Sequence, residues 1–103
     1  MVKRLKPIRR AKVQPLYNAE IYSDQVREMI LQSGQVGIEI ANRWIIGWPK
    51  RVVNLLVQET YEDAFQYQLL QEQDVIARAS NLSHLAPMEI VEMSGLSLEP
   101  PEE

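Results

Sequence analysis

The residues of this chain that could do chemistry are few and scattered. His84 is the only histidine and there is no cysteine, so a nucleophile and base pair would have to come from Ser, Thr, Asp, Glu or Lys. No spacing in the chain sets up such a pair. His84 follows Asn81, Leu82 and Ser83 in a connection between helices, where a capping or solvent-facing imidazole is expected. Glu59, Glu62 and Asp63 stand at helical i, i+3, i+4 spacing and could draw a hard cation. No glycine-bearing loop brings further oxygens to them, so they read as a solvated face. The glycines, Gly34, Gly37, Gly47 and Gly95, do not cluster with a Lys–Ser/Thr pair, which excludes a phosphate-cradling loop. The expectation is a protein that is not an enzyme and that uses no metal and no cofactor.

Positive charge is the more informative signal. The formal net charge is −3, but residues 1–19 carry six basic side chains, Lys3, Arg4, Lys6, Arg9, Arg10 and Lys12, and no acid. Residues 20–103 carry five basic and fourteen acidic side chains, so the two segments stand at +6 and −9. Such asymmetry marks a basic arm that meets polyanions or an acidic partner, or else a merely solvated tail. A mitochondrial presequence is a weaker reading, because Pro7 and Pro15 interrupt the helix it would need. A second group is Arg43, Trp44, Trp48, Lys50 and Arg51. Lys50 and Arg51 fall in the first turn of a helix opening at Pro49, where the macrodipole disfavours cations by roughly 0.3–1 kcal/mol each. The positions four residues on, Asn54 and Leu55, offer no acid. This group is the candidate partner-binding site, the alternative being that it solubilises a Trp-rich helix junction.

The elements that must position these side chains read as helices. Met1 to Pro15 has two prolines and no apolar periodicity, and is expected to be an extended arm, with order beginning near Leu16. Ser23 is an N-cap, Val26, Met29 and Ile30 share a face, and Gly34 terminates the first helix. The segment 36–48 is ambiguous, since Val36, Ile38 and Ile40 alternate like a strand while Gly37, Ile40, Ala41, Trp44, Ile45 and Trp48 follow helical spacing. The longer stripe and the Glu39–Arg43 pair favour helix over a hairpin turning at Ala41–Asn42–Arg43. Pro49 opens a third helix with a stripe of Val52, Val53, Leu56 and Val57. A weak capping box at Thr60 and Asp63 leaves open whether 49–80 is one helix or two. Its middle, Gln66 to Asp74, is expected to be largely exposed or to lie against a partner helix. A last short helix starts near Pro87, buries Ile90 and Val91, and stops at Gly95, followed by a frayed acidic tail.

Two stretches resemble a helix-turn-helix. Met29 to Trp44 looks like its first helix, glycine turn and second helix, with Ile40 in the expected apolar place and bulky Ile30 where a small residue usually sits. Leu85 to Ser97 resembles the first helix and turn only, because Leu98 to Glu103 is proline-broken and acidic. The first resemblance implies DNA binding through residues 29–44 with help from the arm. The −9 charge of residues 20–103 opposes it.

At 103 residues, 46% hydrophobic and 24% charged, the chain is sized for one globular domain. Its longest fully apolar stretch, Trp44 to Ile46, is too short to span a bilayer, and the N-terminus lacks a signal-peptide apolar block. With no cysteine the compartment expected is the cytoplasm. The sequence therefore predicts an all-α protein: a flexible basic arm over 1–15, a small four- or five-helix domain over 16–96, and a short acidic tail over 97–103. The predicted core is Val26, Met29, Ile30, Ile40, Ala41, Trp44, Ile45, Val52, Val53, Leu56, Phe65, Leu69, Ile76, Ile90 and Val91. The function expected is a protein-interaction or assembly module, self-associating or binding a protein partner. The alternative is a DNA-binding accessory factor, with nucleic acid met through the arm.

Overall fold

The computed structural model describes residues 15–79 and 84–102. The basic arm, with Lys3, Arg4, Lys6, Arg9, Arg10 and Lys12, lies outside the described residues. These are all-helical: a 3-10 turn at Ala19–Ile21, then α1 (Asp24–Gln32), α2 (Gly34–Gly47), α3 (Pro49–Val57), α4 (Tyr61–Arg78) and α5 (Pro87–Met93). No strand occurs among them.

The segment leading into the helices is held by one side chain. Asn42 on α2 accepts from the Tyr17 N–H at 2.8 Å and donates to the Pro15 carbonyl at 3.0 Å, so the chain entering the domain is clamped by its backbone. Ser23 caps α1 by accepting from the Val26 N–H at 3.2 Å. Gly34, at φ +79°, lets the chain leave α1 and open α2 with only Ser33 between them.

The helix over 34–47 replaces the rival hairpin, and its burial explains the ambiguous pattern. Gly37, Ile38, Ile40, Ala41, Asn42, Trp44 and Ile45 are all buried, covering more than half of the circumference at 3.6 residues per turn. A helix enclosed this widely carries apolar residues at positions that also alternate. Gly37 makes the close approach to its neighbours. A Cβ there would stand 2.4 Å from Ser33 Cβ, and 3.3 Å from both the Ile30 carbonyl and Phe65 Cζ. The small residue that lets α1 and α2 meet is thus Gly37, which leaves room for fully buried Ile30.

Residues 49–78 form two helices. At the end of α3 the Glu59 N–H donates to the Leu56 carbonyl and the Thr60 N–H to the Leu55 carbonyl, which is a Schellman cap with Glu59 in the left-handed position at φ +62°. A glutamate there, rather than glycine, is why the break is silent in sequence. The Thr60 side chain makes no capping bond. The stripe expected on α3 is also corrected: Val52 and Leu55 are buried, whereas Val53 and Val57 are 49% and 75% exposed. The run Val52-Val53-Asn54-Leu55-Leu56-Val57 offers two overlapping helical stripes, and packing selects the one through Val52, Leu55 and Leu56.

The core is centred on aromatic rings. Trp44 meets Tyr61 and Phe65 edge-on at centroid distances of 5.9 and 6.5 Å, and Tyr61 stacks on Phe65 at 5.9 Å. Tyr22 tilts against Tyr61 at 5.6 Å. Tyr22, Ile38, Leu55 and Tyr61 join the buried set beyond those expected, and Ile76 is only half-buried.

Candidate functional site

Five residues singled out by the sequence fall into two environments. Arg43, Trp44 and Arg51 come together, and what they hold is the C-terminal segment of their own chain. The Leu98 carbonyl accepts from Arg43 Nε at 3.1 Å and from Trp44 Nε1 at 3.0 Å. Arg51 Nη1 donates to the Pro100 carbonyl at 3.2 Å and to Glu99 Oε1 at 2.9 Å, while its Nη2 reaches Glu102 Oε2 at 3.3 Å. Residues 96–102 therefore lie docked as an extended strap with Pro100 buried, where a frayed tail was expected. Consecutive prolines favour an extended, unpaired backbone whose carbonyls remain free to accept. Trp48 is half-buried between α2 and α3, and Lys50 is exposed with no ion pair among the described residues.

Beneath the strap lies a polar layer that sequence reading missed. Glu72 on α4 is completely buried and pairs with Arg43 Nη2 at 2.5 Å. Gln68, one turn earlier, donates to Glu72 Oε2 at 2.6 Å and to the Ser97 carbonyl at 2.8 Å. The expected exposed middle of α4 is thus partly interior, since Gln68, Leu69 and Glu72 are all buried. The second carboxylate oxygen, Glu72 Oε1, is buried without a partner among the described residues. A buried charge is tolerated only when paired and hydrogen-bonded, and here the pairing crosses from α2 to α4. The polar pair Gln68–Glu72 at i, i+4 was the available signal. Its partner, Arg43, is 29 residues away from Glu72.

The unpaired look of Arg51 in the sequence has the same origin. Its acids are 48 and 51 residues downstream, in the strap. Of the remaining basic side chains of the helices, Arg27 pairs locally with Asp24 and Arg78 with Asp74, while Lys50 makes no ion pair among the described residues.

Tyr22 and Tyr61 form a buried phenol pair. Both hydroxyls are enclosed, and they face one another without a hydrogen bond of regular geometry. Burial pushes both above the ordinary value of 10.0, Tyr61 far above it; for Tyr61 the neighbouring Tyr22 adds to the rise, while for Tyr22 the contact partly offsets it.

The other candidates are dispersed. Among the described residues no cluster of His, Asp or Glu could hold a metal ion. Glu59 occupies the strained cap, Glu62 accepts from Gln25 Nε2 at 2.9 Å, and His84 is exposed. In the stretch that resembles a helix-turn-helix, a single residue, Ser33, joins the helices. The outward side of α2 carries Gln35 bonded to Glu39 at 3.3 Å, an acidic rather than a phosphate-seeking face. The second such stretch ends in the strap, not in a helix. No helix of the described residues is long and apolar enough to cross a membrane.

Large apolar side chains are exposed on several elements, Tyr17, Ile21, Leu31, Ile46 and Met93 among them, and two pairs recur at helical spacing: Tyr67 and Leu70 on α4, 66% and 65% exposed, and Val53 and Val57 on α3. Compared with protein-family models, curated proteins and solved structures, the chain matches none.

Proposed function

We propose that the protein is a non-enzymatic helical interaction module, and that it contacts another protein, or a second copy of itself, through the outward faces of α3 and α4. The observation that carries this reading is the exposure of two apolar pairs at helical spacing, Val53 with Val57 and Tyr67 with Leu70. Large apolar groups exposed in neighbouring turns of one helix cost solubility, and are the groups that anchor protein contacts. Among the described residues nothing covers them. By contrast Arg43 and Trp44, which sequence alone offers as a partner site, already have internal partners.

The arm supports a second reading, attraction of a polyanion such as nucleic acid, through its six basic side chains. The two readings separate by experiment. Sedimentation velocity over a range of concentrations should show self-association in the full chain. The pairs Val53→Asp with Val57→Asp and Tyr67→Asp with Leu70→Asp should each weaken it while leaving the helical circular dichroism intact. A chain that is monomeric throughout, and that binds duplex DNA with a sequence preference lost on Lys50→Ala, would favour the second reading. Binding indifferent to sequence and abolished by raised salt would mark the arm as a nonspecific polyanion tail.

A further inference from the structure

Among the described residues, the hydrogen bonds from α2, α3 and α4 to the backbone of the strap all run the same way. Arg43 Nε, Trp44 Nε1, Arg51 Nη1 and Gln68 Nε2 donate, and the carbonyls of Ser97, Leu98 and Pro100 accept. Among the described residues, the strap side chains with polar contacts to the groove are the carboxylates of Glu99 and Glu102, both mostly exposed. The groove is therefore an array of donors and positive charge that reads an extended backbone and negative charge, with Pro100 buried against it. Glu72, fully buried with one oxygen unpartnered among the described residues, holds Arg43 and Gln68 in position as donors. A buried carboxylate is costly to retain, and what this one orients is the recognition array.

We propose that this groove is a receptor for extended, acidic, proline-containing peptide segments, and that residues 97–102 are its tethered occupant, displaceable by a partner's segment of the same chemistry. The exchange is favoured by how the strap is held. Its carboxylate pairs are solvent-exposed and individually weak, and its carbonyl bonds are of a kind that any extended chain supplies. Gly95, at φ +83°, stands between α5 and the strap and gives the chain its turn into the groove. Tethering alone gives the strap an effective concentration on the order of millimolar, so the groove stays closed to weak competitors and opens to matched ones. The proposal uses other side chains than the apolar pairs of α3 and α4 and does not depend on them.

The test keeps the whole chain. A full-length variant with Glu99→Lys and Glu102→Lys weakens the tethered segment, and a synthetic peptide with the sequence of residues 95–103 is the probe. The indole N–H resonance of Trp44, bonded to the Leu98 carbonyl at 3.0 Å, reports occupancy. In the variant that resonance should move from its wild-type position, and added peptide should return it. The peptide should bind the variant about tenfold more tightly than the unmodified chain, as expected for the loss of two exposed ion pairs. Added salt should weaken it, and a peptide with both glutamates replaced by lysine should not bind. If the Trp44 resonance stays in place in the variant, or moves but does not respond to the peptide, the strap is a fixed structural element and the proposal fails. Should the Lys variant lose its helical circular dichroism, Glu99→Gln with Glu102→Gln provides the same comparison.

Discussion

Replacing Arg43 by alanine tests whether this side chain is an interior structural charge or a surface group awaiting a partner. The substitution leaves the Glu72 carboxylate completely buried, with Gln68 as its one remaining partner, and also deletes a bond to the Leu98 carbonyl. Breaking one side of a buried pair typically costs about 3–5 kcal/mol, because the surviving charge is uncompensated. A domain of this size has a total stability of about 5–15 kcal/mol, and loses about 4–8 °C in midpoint per kcal/mol. The thermal midpoint should therefore fall on the order of 20 °C, read by circular dichroism at 222 nm. The double change Arg43→Met with Glu72→Met removes both charges at similar volume and should recover most of the loss. An Arg43→Ala midpoint within a few degrees of wild type would refute the reasoning, since an exposed arginine contributes about 0–1 kcal/mol.

Four further outcomes are expected. Glu59→Gly should raise stability by about 1 kcal/mol in urea unfolding, because glycine adopts the left-handed cap without the Cβ penalty that Glu59 bears at φ +62°. Gly37→Ala should destabilise by roughly 1–3 kcal/mol, since its methyl group would stand 2.4 Å from Ser33 Cβ, which has no flexible end to swing away. In a chain carrying Tyr17→Phe and Tyr67→Phe, only the buried phenols Tyr22 and Tyr61 remain. Burial raises both above 10.0 in the fold, so the folded state keeps protons that the unfolded chain releases. Stability should be unaffected by these groups below pH about 10 and should fall above it, with tyrosinate absorbance growing only as the helical signal is lost. Trp44→Phe removes the indole donor to the Leu98 carbonyl and should increase amide exchange across residues 96–102 more than in α4.

Most of the helices were legible because they obey local rules, the start of α4 excepted. Ser23 caps α1, Pro49 and Pro87 open α3 and α5, and Gly34 with its positive φ separates α1 from α2. What stayed hidden depends on contacts distant in sequence. Glu59 gives no cue that it would adopt a glycine conformation. The choice between Val53 and Leu55 for the inner face of α3 is made by what α3 meets, not by its own pattern. The polar layer of Arg43, Gln68 and Glu72 joins three side chains that separately look like solvated surface. The acidic tail was read by composition as frayed, yet its carbonyls and Pro100 complete a groove whose donors come from α2, α3 and α4. The basic charge of Arg51, which in the sequence suggested an external anionic partner, is paired instead with Glu99 and Glu102 of the same chain.

The proposal that the outward faces of α3 and α4 make protein contacts is tested most directly by photocrosslinking in the native host. A photoreactive residue would replace Val57 or Tyr67 in turn, with exposed Glu92 on α5 as the reference position. The account predicts discrete protein adducts, either to a second copy of this chain or to one other protein, at Val57, at Tyr67 or at both, and none at Glu92. Adduct patterns identical at all three positions, or adducts to nucleic acid alone, would contradict it.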